Sequence, residues 1–228
     1  MTAGPDAPGS FFGRRKGKAL RDAQQERIAT LLPGLRLPAE GALDPARFFP
    51  ERPASLHLEI GFGGGEHLVQ RAAEAPRTGF VGVEPFVNGV AKCLAALDEG
   101  GLRNVRIWDD DAASLLPRLP AACLDRVYVL YPDPWPKRRQ RKRRFVSDAN
   151  LAALARVIRP GGELRFASDI DDYVGWVLAR VARSPDFRWT ARTAADWREP
   201  WDGWRSTRYE AKALREGRVS SYLTVERV

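Results

Sequence analysis

The chain has 228 residues, of which 44% are hydrophobic and 29% charged, a composition that excludes global disorder and fibrous architectures and suits one compact domain with a short tail. Lysine and arginine number 37 against 29 aspartates and glutamates, and the resulting net charge of +8 favours an acidic partner such as nucleic acid. The sequence contains no run of 18 apolar residues and its first twenty residues lack the apolar centre of a secretion signal, so a cytoplasmic protein without a membrane span is expected.

Residues 1–10 have the Gly, Pro and Ala content of a disordered leader. From Phe11 the stretch FFGRRKGK, with Arg14, Arg15 and Lys16, reads as a basic arm. It leads into a short amphipathic helix carrying Leu20, Ile28, Leu31 and Leu32, which Pro33-Gly34 should stop. A Pro-rich connector runs to residue 53, and residues 54–228 form the main domain. There Leu56–Ile60 reads as a buried strand, Glu66–Ala73 as a helix, Gly79–Val83 as a second strand and Pro85–Leu97 as its helix. Asn104–Trp108 and Asp125–Leu130 give two more strands, the latter followed by a helix over Ser147–Ile158. Arg159–Gly162 turns into strand Glu163–Ala167, and Ser221–Arg227 alternates as a closing strand. This alternation predicts an α/β fold, doubly wound around a mostly parallel sheet, with ligands at the carboxyl ends of the strands. Cys93 and Cys123, thirty residues apart, have no metal-ligand spacing and read as buried apolar residues. His57 and His67 have no ligand partners in the sequence, so no metal site and no catalytic histidine are expected.

The loop Gly61-Phe62-Gly63-Gly64-Gly65 joins a strand to a helix, where glycines allow a tight turn and close approach of a ligand. A dinucleotide fingerprint requires G-x-G-x-x-G, but position 66 is Glu, which disfavours a nicotinamide cofactor. With Glu59 before it, the string Leu58–Gly65 resembles motif I of S-adenosylmethionine-dependent methyltransferases. Glu84 ends the second strand, 23 residues after Gly61, where a carboxylate accepts ribose hydroxyls. Asp109-Asp110-Asp111 follows the third strand and reads either as one exposed loop or, at Asp111, as the acid that meets the adenine amino group in methyltransferases.

After the fourth strand, Pro132-Asp133-Pro134-Trp135-Pro136 places three prolines in five residues, fixing Asp133 and Trp135 at the mouth of the site. It resembles, in position, the Asp/Asn-Pro-Pro-Trp/Tyr loop of amino methyltransferases. Immediately beyond it, Lys137-Arg138-Arg139-Gln140-Arg141-Lys142-Arg143-Arg144 has seven basic residues in eight, a block best tolerated facing phosphates. Near the end, Trp197, Trp201, Trp204 and Tyr209 interleave with Arg198, Arg205, Arg208 and Lys212, a mixture that suits base stacking as well as core building.

Taken together, Phe11–Lys18, Leu58–Leu68, Gly82–Glu84, Pro132–Phe145, Ser168-Asp169 and Thr207–Lys212 resemble the bacterial tRNA (guanine-N7-)-methyltransferase family in order along the chain. The resemblance implies a Rossmann-like, seven-stranded methyltransferase domain and methyl transfer from S-adenosylmethionine to N7 of guanine 46 in the tRNA variable loop. It further implies cofactor binding by Glu59, the glycines Gly61, Gly63 and Gly65, Glu84, Asp111 and Asp133. Substrate binding would fall to Lys137, Asp169 and Thr207, Arg208, Tyr209 and Glu210, and Asp133 would be the active-site residue. Whether Asp133 meets the guanine edge or the cofactor ammonium stays open, as does monomer against homodimer. An amino-group methyltransferase and a non-catalytic RNA-binding protein of the same fold are the rival readings.

Overall fold

The computed structural model describes residues 12–228; the expected leader and Phe11 lie outside the described residues. The strands are β1 (Ser55–Ile60), β2 (Thr78–Val83), β3 (Val105–Trp108), β4 (Leu124–Leu130), β5 (Ile158–Ser168), β6 (Phe187–Trp189) and β7 (Ser221–Arg227). They form one seven-stranded sheet in the order β3-β2-β1-β4-β5-β7-β6. Strands β1 to β5 run parallel, while β7 pairs antiparallel with both β5 and β6. The helices are α1 (Asp22–Thr30), α2 (Leu32–Leu35), α3 (Glu66–Glu74), α4 (Val87–Glu99), α5 (Ala112–Leu115), α6 (Asp148–Val157), α7 (Asp171–Val181), α8 (Ala195–Arg198) and α9 (Arg208–Arg215).

The period of two along β1 sorts its side chains between the sheet faces. Leu56, Leu58 and Ile60 join the larger core with Val127, Val129, Leu151, Leu154, Phe166 and Val177. A second core on the β2–β3 half gathers Leu68, Phe80, Val90, Leu94, Val105 and Ile107. Leu37, Leu43 and Phe49, from the segment ahead of β1, are buried in the larger core. Cys93 is fully buried and Cys123 partly so; burial pushes both thiols up, Cys123 to about 11, as fits apolar packing. Among the described residues no helix is long and apolar enough to cross a membrane.

The expected strand and helix positions hold to within a few residues, with three differences. Pro33 does not end a helix; it occupies the first turn of α2, where its missing N–H has no intrahelical acceptor to lose. The Arg159–Gly162 turn lies inside β5, whose Ile158 pairs with Leu124 before the register shifts at Leu124/Arg126, and Gly161 takes φ +73° there. Helices α5, α7, α8 and α9 and strand β6 have no counterpart in the sequence reading.

The order reverses between β1 and β4, because β1 leads outward through β2 to β3 and β4 begins the other half. Such a switch point opens a crevice at the carboxyl ends of the two strands. The glycine loop after β1 and the proline loop after β4 both stand at this crevice.

Candidate active site

Three glycines of the loop after β1 adopt left-handed backbone, with φ of +76° at Gly61, +59° at Gly63 and +82° at Gly65. The loop also has no room to grow sideways: a Cβ on Gly89, in α4, would stand 2.2 Å from the Gly63 carbonyl oxygen. Cys93 packs beneath it, so a Cβ on Gly65 would meet Cys93 Sγ at 2.6 Å.

Glu84 follows β2 and is buried at 7% exposure. Its Oε2 accepts from the Gly63 amide at 2.7 Å and its Oε1 from the Phe86 amide at 2.9 Å, which ties the two loops together. Burial pushes the Glu84 carboxyl up from its ordinary value against the lowering effect of these amides, with Asp133 adding a like charge nearby. Glu59 is also buried, and its Oε2 lies 2.6 Å from His67 Nδ1.

The three aspartates after β3 do not act alike. Asp109 pairs with Arg36 at 2.6 Å and Asp110 with Arg15 at 2.6 Å. Asp111 caps α5, its Oδ1 accepting from the Ala113 amide at 3.0 Å, and its carbonyl receives Trp108 Nε1 at 3.1 Å. Residues 12–18 cross this edge of the site: the Val87 amide donates to the Arg15 carbonyl at 3.0 Å and Asn88 Nδ2 to the Lys18 carbonyl at 2.8 Å. Arg14 and Lys16 are exposed beside them.

The loop after β4 carries two aromatic residues in left-handed backbone, Tyr131 at φ +48° and Trp135 at φ +43°. Positive φ at a bulky residue costs about 1–3 kcal/mol and persists only where the surroundings impose it. The Tyr131 hydroxyl donates to Ser220 Oγ at 3.0 Å, and its amide donates to the Ala167 carbonyl at 2.8 Å. Between them Asp133 is exposed and makes no hydrogen bond or ion pair with a described residue.

The basic block divides into groups with different environments. Lys137, Arg138, Arg139 and Lys142 are exposed and have no ion-pair partner among the described residues. Arg143 lies against the rings of Phe12 and Trp135, at 5.2 and 4.9 Å. Arg141 Nη2 pairs with Asp172 Oδ1 at 2.7 Å. Arg144, expected to face phosphates, is 2% exposed and faces inward. Its Nε donates to the Pro134 carbonyl at 2.7 Å, Nη1 to the Asp172 carbonyl at 3.2 Å and Nη2 to Asp172 Oδ2. The Tyr173 and Trp176 rings flank its guanidinium at 4.8 and 5.1 Å. Its donors are committed inside the protein, so this member of the block is a structural anchor and is unavailable to RNA.

Segment 207–210 folds over the glycine loop. Thr207 is buried and caps α9, its Oγ1 accepting from the Glu210 amide at 3.2 Å. Arg208 Nη2 donates to the Tyr209 hydroxyl at 3.1 Å, and a Cβ on Gly63 would stand 3.1 Å from that nitrogen and 3.2 Å from that oxygen. Glu210 is buried, with its Oε2 accepting from Trp204 Nε1 at 2.9 Å and its Oε1 accepting from the Tyr222 hydroxyl. Asp169, after β5, receives Arg218 Nε at 2.6 Å. Trp201 and Trp204 pack edgewise on Tyr222 at 5.5 and 5.7 Å, and Trp201 Nε1 donates to Thr224 Oγ1 at 2.9 Å, so these two aromatics pack onto a small apolar cluster with Tyr128, Leu130 and Tyr222.

The structure brings Glu59, Gly61, Tyr131, Thr207 and Tyr209 around one small cleft, which His67 also lines, whereas Gly63, Gly65, Glu84, Asp111 and Asp133 are not part of its lining. His67, Asp172 and Arg218 were not singled out in the sequence as partners of site residues. Arg144 and Asp172 are 28 positions apart and Arg218 and Asp169 49, so no local pattern signals either pair. The site thus carries a left-handed glycine loop, one buried carboxylate within β1 and another just after β2, and an aspartate after β3 that caps α5. Among the described residues no cluster of His, Cys, Asp and Glu could hold a metal ion.

The family described as "Putative methyltransferase" matches residues 53–222. A tRNA (guanine-N(7)-)-methyltransferase of Rhizobium meliloti is 54% identical over 99% of this chain and 98% of its own length. One of Agrobacterium fabrum is 56% identical over 94% of each chain. In fold, the chain resembles the crystal structure of an rRNA methylase from Streptococcus thermophilus, with a TM-score of 0.51, 12% identity, and coverage of 76% of this chain and 87% of that one. With identity above one half along nearly its whole length, this chain belongs to the tRNA (guanine-N(7)-)-methyltransferase family.

Proposed function

We propose that the protein transfers a methyl group from S-adenosylmethionine to N7 of guanine in tRNA, at position 46 of the variable loop, as a cytoplasmic enzyme. The observation that carries this reading is one juxtaposition. Asp133, without a hydrogen-bond or ion-pair partner among the described residues, lies near enough to the buried Glu84 to act on its carboxyl, and Lys137, Arg138, Arg139 and Lys142, which follow it in the chain, are exposed with no ion-pair partner among the described residues.

When bound, S-adenosylmethionine supplies an electrophilic methyl on a sulfonium that leaves as a neutral thioether. Guanine N7 has a free lone pair at neutral pH, so the chain's residues need to align and stabilise rather than remove a proton. Glu59 and Glu84 would hold the methionine and ribose ends, and Asp111 the adenine end. Their positions, Glu59 within β1 and Glu84 and Asp111 beyond the ends of β2 and β3, fix those carboxylates before any ligand arrives. Asp133 offers a carboxylate on a strained, proline-braced loop, suited to a guanine edge or an ammonium and to the positive charge that develops on the methylated ring. Lys137, Arg138, Arg139 and Lys142, with Arg14 and Lys16, would meet phosphates, and Asp169 and the Thr207–Glu210 turn would border the substrate.

The test is incubation of unmodified bulk tRNA with labelled S-adenosylmethionine, followed by nucleoside mass spectrometry and mapping of the product. The expected result is 7-methylguanosine at position 46. Methyladenosine or another amino-methylated nucleoside would establish the rival acceptor, and no transfer despite tRNA binding would establish the non-catalytic reading.

A further inference from the structure

The buried pair Glu59–His67 lies at the cofactor end of the cleft, and no step proposed above uses the histidine. Glu59, near the end of β1, and His67, in the first turn of α3, each leave only 5% of the side chain exposed. His67 Nδ1 and Glu59 Oε2 stand 2.6 Å apart, and a carboxylate that holds an ammonium can only accept, so the cofactor role of Glu59 assigns the donor to His67 Nδ1. The other carboxylate oxygen, Oε1, takes no donor from a described residue, and Glu59 lines the cleft.

The ring itself is held from both sides. Tyr128 of β4 meets it edgewise at 4.7 Å, and Trp204 lies tilted against it at 5.3 Å. Trp204 is in turn fixed by its Nε1 bond to Glu210 at 2.9 Å. The imidazole is therefore locked in place before it reaches the carboxylate. A carboxylate anchored through one oxygen presents the other in a defined direction, whereas an unanchored one rotates and must be ordered when the ligand binds.

We infer that His67 is a positioning residue for the cofactor: it fixes the Glu59 carboxylate so that Oε1 receives the ammonium of the amino-acid end of S-adenosylmethionine. This rests on the reading of Glu59 as a cofactor ligand. The role is orientation, not proton transfer, and it acts only on ligands that carry the amino-acid group.

The experiment is calorimetric titration of the full chain with S-adenosylhomocysteine and with 5′-methylthioadenosine, which lacks the amino-acid end. His67→Leu removes the donor and keeps bulk; His67→Asn restores an N–H close to the Nδ1 position. His67→Leu should weaken S-adenosylhomocysteine by roughly 10-fold, the scale of one hydrogen bond to a charged group. It should leave 5′-methylthioadenosine within about twofold, and His67→Asn should recover most of the loss. In turnover with tRNA, His67→Leu should raise KM for S-adenosylmethionine more than it lowers kcat. Glu59→Gln separates the two levels of the argument. If it leaves S-adenosylhomocysteine binding intact, the cofactor role of Glu59 falls and this inference with it. If it weakens binding while His67→Leu matches wild type, only the positioning role is overturned. Equal losses for both nucleosides, or no recovery in His67→Asn, would reduce His67 to packing and overturn the inference as well.

Discussion

Replacing Arg144 by Met should unfold the protein more readily without altering its hold on RNA phosphates, the opposite of what its place in a block with seven basic residues in eight suggests. The side chain is fully buried, whereas its partner Asp172 is 46% exposed and can rehydrate when the guanidinium is lost. The Pro134 and Asp172 carbonyls lose their Arg144 donors, and Tyr173 and Trp176 lose the cation between them. Breaking a buried hydrogen-bonded pair costs about 3–5 kcal/mol; rehydration of Asp172 and the methionine's apolar bulk favour the lower end, about 3 kcal/mol. For a chain of this length that is a fall in Tm of about 6–12 °C. The assay pairs thermal unfolding with tRNA binding at several salt concentrations, below the variant's transition. Because Arg144 braces the Pro134 carbonyl, kcat should also fall through the placement of Asp133, while the slope of log affinity against log salt stays at the wild-type value. Unchanged Tm together with a slope reduced by roughly one phosphate contact would refute the anchor reading and return Arg144 to the RNA surface.

Replacing Arg138, Arg139 and Lys142 together by Gln should leave Tm unchanged and flatten the salt dependence of tRNA binding by roughly 0.7–0.9 log units per lost phosphate contact; an unaltered slope would make the block a solvated loop. Asp133→Asn should lower single-turnover methylation by roughly 10² at saturating cofactor and tRNA with little change in tRNA affinity, and a rate within about threefold of wild type would remove Asp133 from the chemistry. Glu84→Ala should weaken S-adenosylmethionine by about 2–3 kcal/mol in calorimetry, and it should also loosen the glycine loop that its two oxygens pin; unchanged affinity would exclude Glu84 from the site. Burial, reinforced by Arg126, holds the His57 imidazole down at about 4 against an ordinary 6.5. The unfolded chain therefore takes up the proton first as pH falls, and stability present above pH 6.5 is lost between pH 6.5 and 4. Between pH 7 and 5 the wild type should lose about 2 kcal/mol more in urea unfolding than His57→Leu, and parallel pH profiles would contradict this.

The sequence by itself determined the parallel half of the fold and the chemistry of its mouth. Strands β1 to β4 are short apolar runs bounded by Gly, Asp or Pro, so pattern and punctuation coincide within the chain. Glu59, Gly61–Gly65, Glu84 and Asp133 are legible because each lies at or beside a strand end, and the parallel topology carries those ends to one edge. The Ser221–Arg227 strand is legible for the same local reason, since its alternation needs no partner to be seen.

What the tertiary structure alone decided is the fate of side chains whose partners are remote. Arg144 and Arg138 are the same residue in the same run, yet one is buried against Asp172 in α7 and the other is exposed. Charge patterning carries no information about which way a side chain faces when the ordering contact lies 28 residues away. The aspartates after β3 separate into three roles only because Arg36 and Arg15 arrive from the N-terminal segment. Trp201 and Trp204 read equally as base-stacking or core residues, and only the antiparallel return of β7 places Tyr222 and Thr224 beside them. His67 is unremarkable as a letter in a helix. The reversal at the glycine loop brings it back onto Glu59, because a turn of left-handed glycines lets the first helical turn fold over the strand it has just left.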